Sequence, residues 1–173
     1  MHQLLLLRHA KSSWADPKLS DQDRPLNKRG HRAAAAMREA MHRLGLSPDL
    51  VLLSPSRRTQ ETLAALEPWD ETPLVEQVES LYLASVPQLL AVLEGVSETV
   101  RSVMLIGHNP GLHELANLLA STSQSGMTQQ LAAGFPTGAL AEFVVGTPWQ
   151  RVGAAGTRLV RFLRPKDLPE TAT

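Results

Sequence analysis

Three short apolar runs, residues 4–7, 50–53 and 103–106, each stop abruptly at polar groups: Arg8-His9, Ser54 and Gly107-His108-Asn109. An unbroken run of about four apolar residues without alternation reads as a strand buried on both faces. Helical segments separate these strands. Asn27 caps a helix whose apolar positions, Ala33, Ala36, Met37, Ala40, Met41 and Leu44, follow the i, i+3, i+4, i+7 pattern up to Gly45. Ser54-Pro55 opens a second helix running to about residue 66, with Ser as N-cap and Pro at the first helical position. Asn109-Pro110 repeats that device for a helix to about residue 120. A weaker strand at 74–78, a helix at 87–93 and two late strands at 139–145 and 158–163 complete the pattern. The expected architecture is a single-domain α/β fold with a mostly parallel central sheet, helices on both faces and an antiparallel edge.

Between these elements, residues 11–26 carry no periodicity and read as a long loop, a feature of functional segments in compact domains. The Ser/Thr/Gln-rich stretch 121–130 is expected to be a mobile surface loop, and the polar tail from residue 165 to fray. The 173 residues suit one domain, and a hydrophobic content of 43% supplies one core. Seventeen basic residues balance 17 acidic ones, which argues against a dedicated nucleic-acid or membrane-surface binder. Thirteen of the basic residues are Arg, a bias toward bidentate recognition of carboxylate or phosphate. With no cysteine there is no thiolate nucleophile, disulfide or thiolate zinc site. The first apolar run is too short for a signal or membrane segment, so the chain is expected in the cytoplasm.

Ligands of open α/β sheets bind beyond the carboxyl ends of the strands. Those positions hold Arg8 and His9, Ser54 with Arg57 and Arg58, Glu79, and His108 with Asn109. Each alone is unremarkable, since a single histidine after a strand is commonly structural. Together they gather two histidines, arginines and one carboxylate at one sheet edge. Arginines at a helix N-terminus oppose the helix dipole, and an anion resolves that conflict. Phosphate dianion fits such a cluster, with carboxylate as the competing ligand. A neutral imidazole is a competent nucleophile toward phosphorus, and nearby arginines disfavour its charged form.

The segments Arg8-His9-Ala10, residues 26–30, residues 54–62 and Gly107-His108-Asn109-Pro110-Gly111 together resemble the histidine phosphatase (phosphoglycerate mutase-like) superfamily, in particular its small phosphohistidine phosphatases of the SixA type. The likeness runs from the first strand to Phe135-Pro136-Thr137. It implies a phosphoglycerate mutase-like domain over residues 1–164, followed by a tail at 165–173. It also implies that His9 becomes phosphorylated, that Arg8 and Arg58 bind phosphate, and that His108 is the second histidine of the pocket, with no cofactor and no metal. Ala10 stands where the family usually has Gly. Larger members carry a general acid on an inserted cap; here Glu79 is the only well-placed candidate. A phosphoramidate protonated on its leaving group needs less acid assistance, which suits a chain without a cap. The expected partner is therefore a phosphohistidine-bearing protein or a small phosphate ester, with neither nucleic acid nor membrane involved.

Two rivals come from the same residues. His9, His108, His113 and Glu114 resemble a metal ligand set, although on a helix starting near Pro110 His113 points away from the strand end. A phosphopeptide-binding module would keep the anion pocket without turnover. Within enzymes, a small-molecule phosphomonoesterase is the alternative.

Overall fold

Six strands form one sheet in the order β3-β2-β4-β1-β5-β6 in the computed structural model, which describes residues 1–123 and 125–169. β1 (His2–Arg8) lies between β4 (Ser102–Gly107), its parallel neighbour, and β5 (Leu140–Val145), its antiparallel one. β2 (Leu50–Leu53) pairs parallel with β4 and with β3 (Leu74–Gln77), while β6 (Thr157–Leu163) closes the antiparallel side.

Alternation along β1 explains why its apolar run is continuous. Leu4 and Leu6 join a cluster with Leu89, Leu93, Leu112 and Leu115 on one face; Leu5 and Leu7 join Met37, Ala40 and Met41 on the other. The first face is covered by α3 (Val86–Glu94), α4 (Gly111–Leu119) and α5 (Gly126–Ala133). The second is covered chiefly by α1 (Lys28–Leu44), with α2 (Arg57–Ala65) alongside. A strand with helices on both faces has no side left for water, so both pleat positions must be apolar. Among the described residues no helix is long and apolar enough to cross a membrane.

The Asn27 cap is present, its side-chain oxygen accepting from the Gly30 N–H at 2.8 Å, and Gly45 ends α1 in the left-handed conformation at φ 66°. Two expected caps are absent. Ser56, not Ser54, caps α2, because the Ser54 hydroxyl is engaged by His108. Asn109 does not cap α4; its side-chain amide donates to the Phe135 carbonyl at 3.0 Å.

The expected loop at 121–130 is partly helical. Ser125 caps α5, and Leu131, with partly buried Met127 beside the same cluster, anchors it in the core. Gln124 lies outside the described residues. The tail is not wholly frayed either. Pro165–Asp167 makes a one-turn 3₁₀ helix against α1, and Leu168 packs beside the Met37 cluster; residues 170–173 lie outside the description.

The aperiodic segment 11–26 is ordered by a closed neck. Ser12 and Leu26 form an antiparallel bridge, Ser13 N–H donates to Pro25 O at 2.8 Å, and Asn27 N–H donates to Lys11 O at 3.0 Å. Gly30 in the first turn of α1 lies directly against this neck. A Cβ there would come within 2.1 Å of the Lys11 carbonyl oxygen, which is backbone and cannot swing aside. Gly30→Ala is therefore expected to lower stability by about 1–3 kcal/mol, read as a reduced urea midpoint at unchanged m-value.

Candidate functional site

Four chain segments meet at the carboxyl ends of β1, β2 and β4. Arg8 ends β1 and its Nη1 donates to the Phe135 carbonyl at 3.0 Å. His9 follows, its backbone N–H donating to Gly107 O at 3.2 Å, so the end of β1 is tied to the end of β4. The next residue, Ala10, is fully buried, and its N–H donates to the Thr62 hydroxyl at 2.9 Å. Thr62 in turn donates to the Arg58 carbonyl at 2.7 Å. One hydroxyl thereby joins the histidine-bearing strand end to the arginine-bearing helix.

The two histidines stand with ring centroids 5.4 Å apart. His9 Nδ1 lies 2.7 Å from the Ala10 carbonyl. A carbonyl only accepts, so Nδ1 carries the proton and Nε2 the free lone pair. His108 has the opposite tautomer. Arg58 Nη2, a donor only, lies 3.4 Å from Nδ1, which leaves Nε2–H to donate to the Ser54 hydroxyl at 2.7 Å. Burial, reinforced by the surrounding arginines, lowers His9 to a pKa of about 4 despite the opposing Ala10 hydrogen bond. Burial first, and Arg58 second, lower His108 to about 3. The arginines thus act as expected from the sequence, but burial is the larger cause.

Arg58 is the most enclosed cation of the group, 4% exposed. Its Nη1 donates to the Asp21 carbonyl at 2.7 Å and its Nη2 to the Asp21 carboxylate at 3.0 Å. Arg57 does not enter the site; it is exposed and pairs with Glu61 at 2.7 Å. Arg24, in the neck of the long loop, donates to the Ser12 hydroxyl and lays its guanidinium over the Trp14 ring. The Nε atoms of Arg8, Arg24 and Arg58 are all buried without a hydrogen-bond partner. Such donors are costly to bury unsatisfied. Together these groups enclose a cleft of about 330 Å³. A larger hollow of about 510 Å³ between Ser123, Met127 and Arg158 lies away from both histidines.

Of the residues expected from the sequence, Arg8, His9, Arg58 and His108 all line this cleft. Glu79 does not. It is exposed at the start of a one-turn 3₁₀ helix, Glu79–Leu81, whose last residue plunges into the core. That turn carries Tyr82 and Leu83 to the site in its place: Tyr82 sits edge-on to His108 at 5.4 Å, and Leu83 lines the cleft. His113 turns away from the site as expected, its Nε2 donating to the Leu131 carbonyl at 2.6 Å. Among the described residues no group of three or more His, Asp or Glu side chains is placed to hold a metal. Asp21 and Arg24 were not singled out by sequence reasoning. The only signal for them was the aperiodic loop in which they lie.

The sheet order, the strand-end histidines and the enclosed guanidiniums define a mixed-sheet α/β protein with a cleft suited to phosphate. Residues 4–79 match the sequence model of the histidine phosphatase superfamily (branch 1). A solved structure from Agrobacterium tumefaciens assigned as a phosphohistidine phosphatase SixA is 30% identical, with a TM-score of 0.81 over 95% of this chain and 98% of that one. A second so assigned, from Nakamurella multipartitia, is 28% identical with a TM-score of 0.84, covering 95% of this chain and 96% of that one. An uncharacterized chloroplastic protein of Arabidopsis thaliana is 35% identical over 70% of this chain, which spans 60% of that relative's length. The chain belongs to the histidine phosphatase superfamily, with its phosphoglycerate mutase-like fold, and is a phosphoryl hydrolase.

The depressed histidine pKa values have a stability consequence with a definite sign. Between the unfolded value of about 6.5 and the folded values of about 4 and about 3, the unfolded chain binds more protons. Stability contributed by each histidine is present above the unfolded pKa and falls as pH drops toward the folded one, by about 1.4 kcal/mol per pH unit. Urea unfolding of the ligand-free protein at pH 7 and pH 5 is expected to show this loss, and His9→Asn or His108→Asn to reduce it.

Proposed function

We infer that this chain removes a phosphoryl group from protein-borne phosphohistidine through a phosphoenzyme formed on His9. The observation that carries the reading is the Ala10 carbonyl holding His9 Nδ1–H, which leaves an unprotonated Nε2 in a cleft shared with Arg8 and Arg58. Phosphoryl transfer passes through a loose, in-line transition state, so catalysis consists mainly of positioning and of fixed positive charge on the equatorial oxygens. The guanidiniums of Arg8 and Arg58, which line the cleft, are suited to those oxygens, with His108 beside them. His9 Nε2 forms a bond to phosphorus as the bond to the leaving group breaks. Water then attacks phosphorus from the opposite side, the P–Nε2 bond breaks, and inorganic phosphate departs. The arginines supply the countercharge, so the proposed hydrolysis needs no metal.

A substrate carried on a protein is supported by two considerations. The cleft stands open at the loop 11–26, where Trp14 is 74% exposed, leaving room for a bulky phosphoresidue carrier. The two similar structures assigned as phosphohistidine phosphatases cover nearly the whole chain.

With a histidine-phosphorylated peptide as substrate, activity is expected to persist in EDTA. A ³²P label should be trapped on His9. His9→Ala is expected to abolish turnover, and His108→Ala to lower kcat by about 10²–10³-fold, the scale for one lost transition-state donor. Glu79→Gln, outside the cleft, should stay within about twofold of wild type. Wild-type turnover by His9→Ala would remove the nucleophile assignment.

A further inference from the structure

The cleft lining contains, among the described residues, four cations (Arg8, Lys11, Arg24 and Arg58) and one carboxylate, Asp21. An anion beside the site for a phosphate dianion calls for an explanation, because like charges at that range repel. Asp21 accepts at the same oxygen, Oδ2, from the Tyr82 hydroxyl and from Arg58 Nη2. Its other oxygen lies 3.6 Å from Arg24 Nη1. Burial works against the charged form, but the Tyr82 and Arg58 hydrogen bonds outweigh it and hold the carboxyl below its ordinary value. An acid held ionised in this way has no proton to give. The side chain is nonetheless 44% exposed, so it remains open to a further donor.

The surroundings indicate what that donor is attached to. Two large apolar side chains reach the same cleft while exposed to water, Trp14 at 74% and Leu83 at 53%. Leu83 is held there with φ at 50°, a left-handed conformation that a branched aliphatic residue seldom adopts. Trp14, one face of which is covered by Arg24, and Leu83 thus offer apolar surface in the same cleft as the carboxylate, which suits a flat leaving group with an N–H on its edge.

We propose that Asp21, steadied by Tyr82 and Arg58, is a specificity residue that accepts the distal N–H of a phosphorylated imidazole and so selects phosphoramidates over phosphate esters. This rests on the His9 phosphatase reading above. In the step it serves, the substrate is an N-phosphoryl imidazolium with its proton on the ring nitrogen remote from phosphorus. His9 Nε2 donates its lone pair to phosphorus, and the P–N bonding pair returns to the proximal ring nitrogen. The ring leaves as neutral imidazole, its remote N–H still directed at Asp21. No proton has to reach the leaving atom. An ester oxygen would leave as an anion beside a carboxylate that cannot protonate it.

The test compares kcat/KM for a histidine-phosphorylated peptide, p-nitrophenyl phosphate and glycerol phosphate in wild type, Asp21→Asn and Tyr82→Phe. In Asp21→Asn, loss of a charge-assisted acceptor is expected to lower phosphopeptide turnover by about 10- to 100-fold. p-Nitrophenyl phosphate turnover is expected to rise about twofold as the repulsion is removed. Tyr82→Phe should shift the same ratio in the same direction by less. Parallel loss on both substrates would make Asp21 a support for Arg58 and overturn the proposal. A larger loss on glycerol phosphate than on p-nitrophenyl phosphate would make it a general acid, also overturning it. Should Asp21→Asn fail to fold, a wild-type preference below tenfold for the phosphopeptide over glycerol phosphate overturns it. Wild-type protein inert toward all three substrates would instead sink the phosphatase reading itself.

Discussion

The parallel pairing of β1 with β4 is the constraint on which the site depends. Their register sets Arg8 opposite Gly107, so the residues that follow, His9 and His108, emerge side by side at the same sheet edge. The bond from His9 N–H to the Gly107 carbonyl extends that pairing one residue past the regular strand. Both strands are buried on both faces, so a slip by one residue would turn every leucine to the wrong cluster. The ring spacing of 5.4 Å is thus secured by the hydrophobic core rather than by any contact between the rings.

The same burial makes the site electrostatically one-sided. Arg58 lies in the first turn of α2, where the helix dipole already presents positive charge. Arg8 and Arg24 bring more, and the Nε of all three arginines is buried without an acceptor. Among the described residues that line the cleft, Asp21 is the one carboxylate that offsets part of this excess. Buried donors without acceptors are unfavourable for folding, while guanidiniums lining the cleft favour an arriving phosphate, whose oxygens accept in several directions. The overall balance of 17 acidic and 17 basic residues conceals this local surplus.

What was legible in the sequence follows from what each signal depends on. The three apolar runs and the α1 periodicity are dictated by burial alone, so β1, β2, β4 and α1 could be read directly. Residues immediately after those strands, Arg8, His9 and His108, were legible for the same reason. Ser54 was misread because an N-cap and a histidine partner need the same hydroxyl, and only the position of His108 in space decides between them. Helix α5 was hidden because the Ser/Thr/Gln-rich run that leads into it reads as a loop and its anchors, Leu131 and Met127, are recognisable only once the core exists. Asp21 reaches Arg58 across 37 residues and Tyr82 across 61, distances over which no local pattern carries information. Glu79 looked well placed because it follows a strand, but β3 is an exposed edge strand and Glu79 is not among the residues that line the cleft.

The closed neck of the loop 11–26 separates two jobs within one segment. The bridge between Ser12 and Leu26, with its flanking backbone bonds, joins the strand carrying His9 to the start of α1 without using any residue between Ser13 and Pro25 as a spacer. The stretch inside that tie carries Trp14 and also Asp21, whose carbonyl and carboxylate hold Arg58, so the sheet alone places the two histidines while the loop helps to place the arginine. The loop is thus divided into a neck that fixes its ends on the fold and a tip that supplies groups to the rim of the cleft.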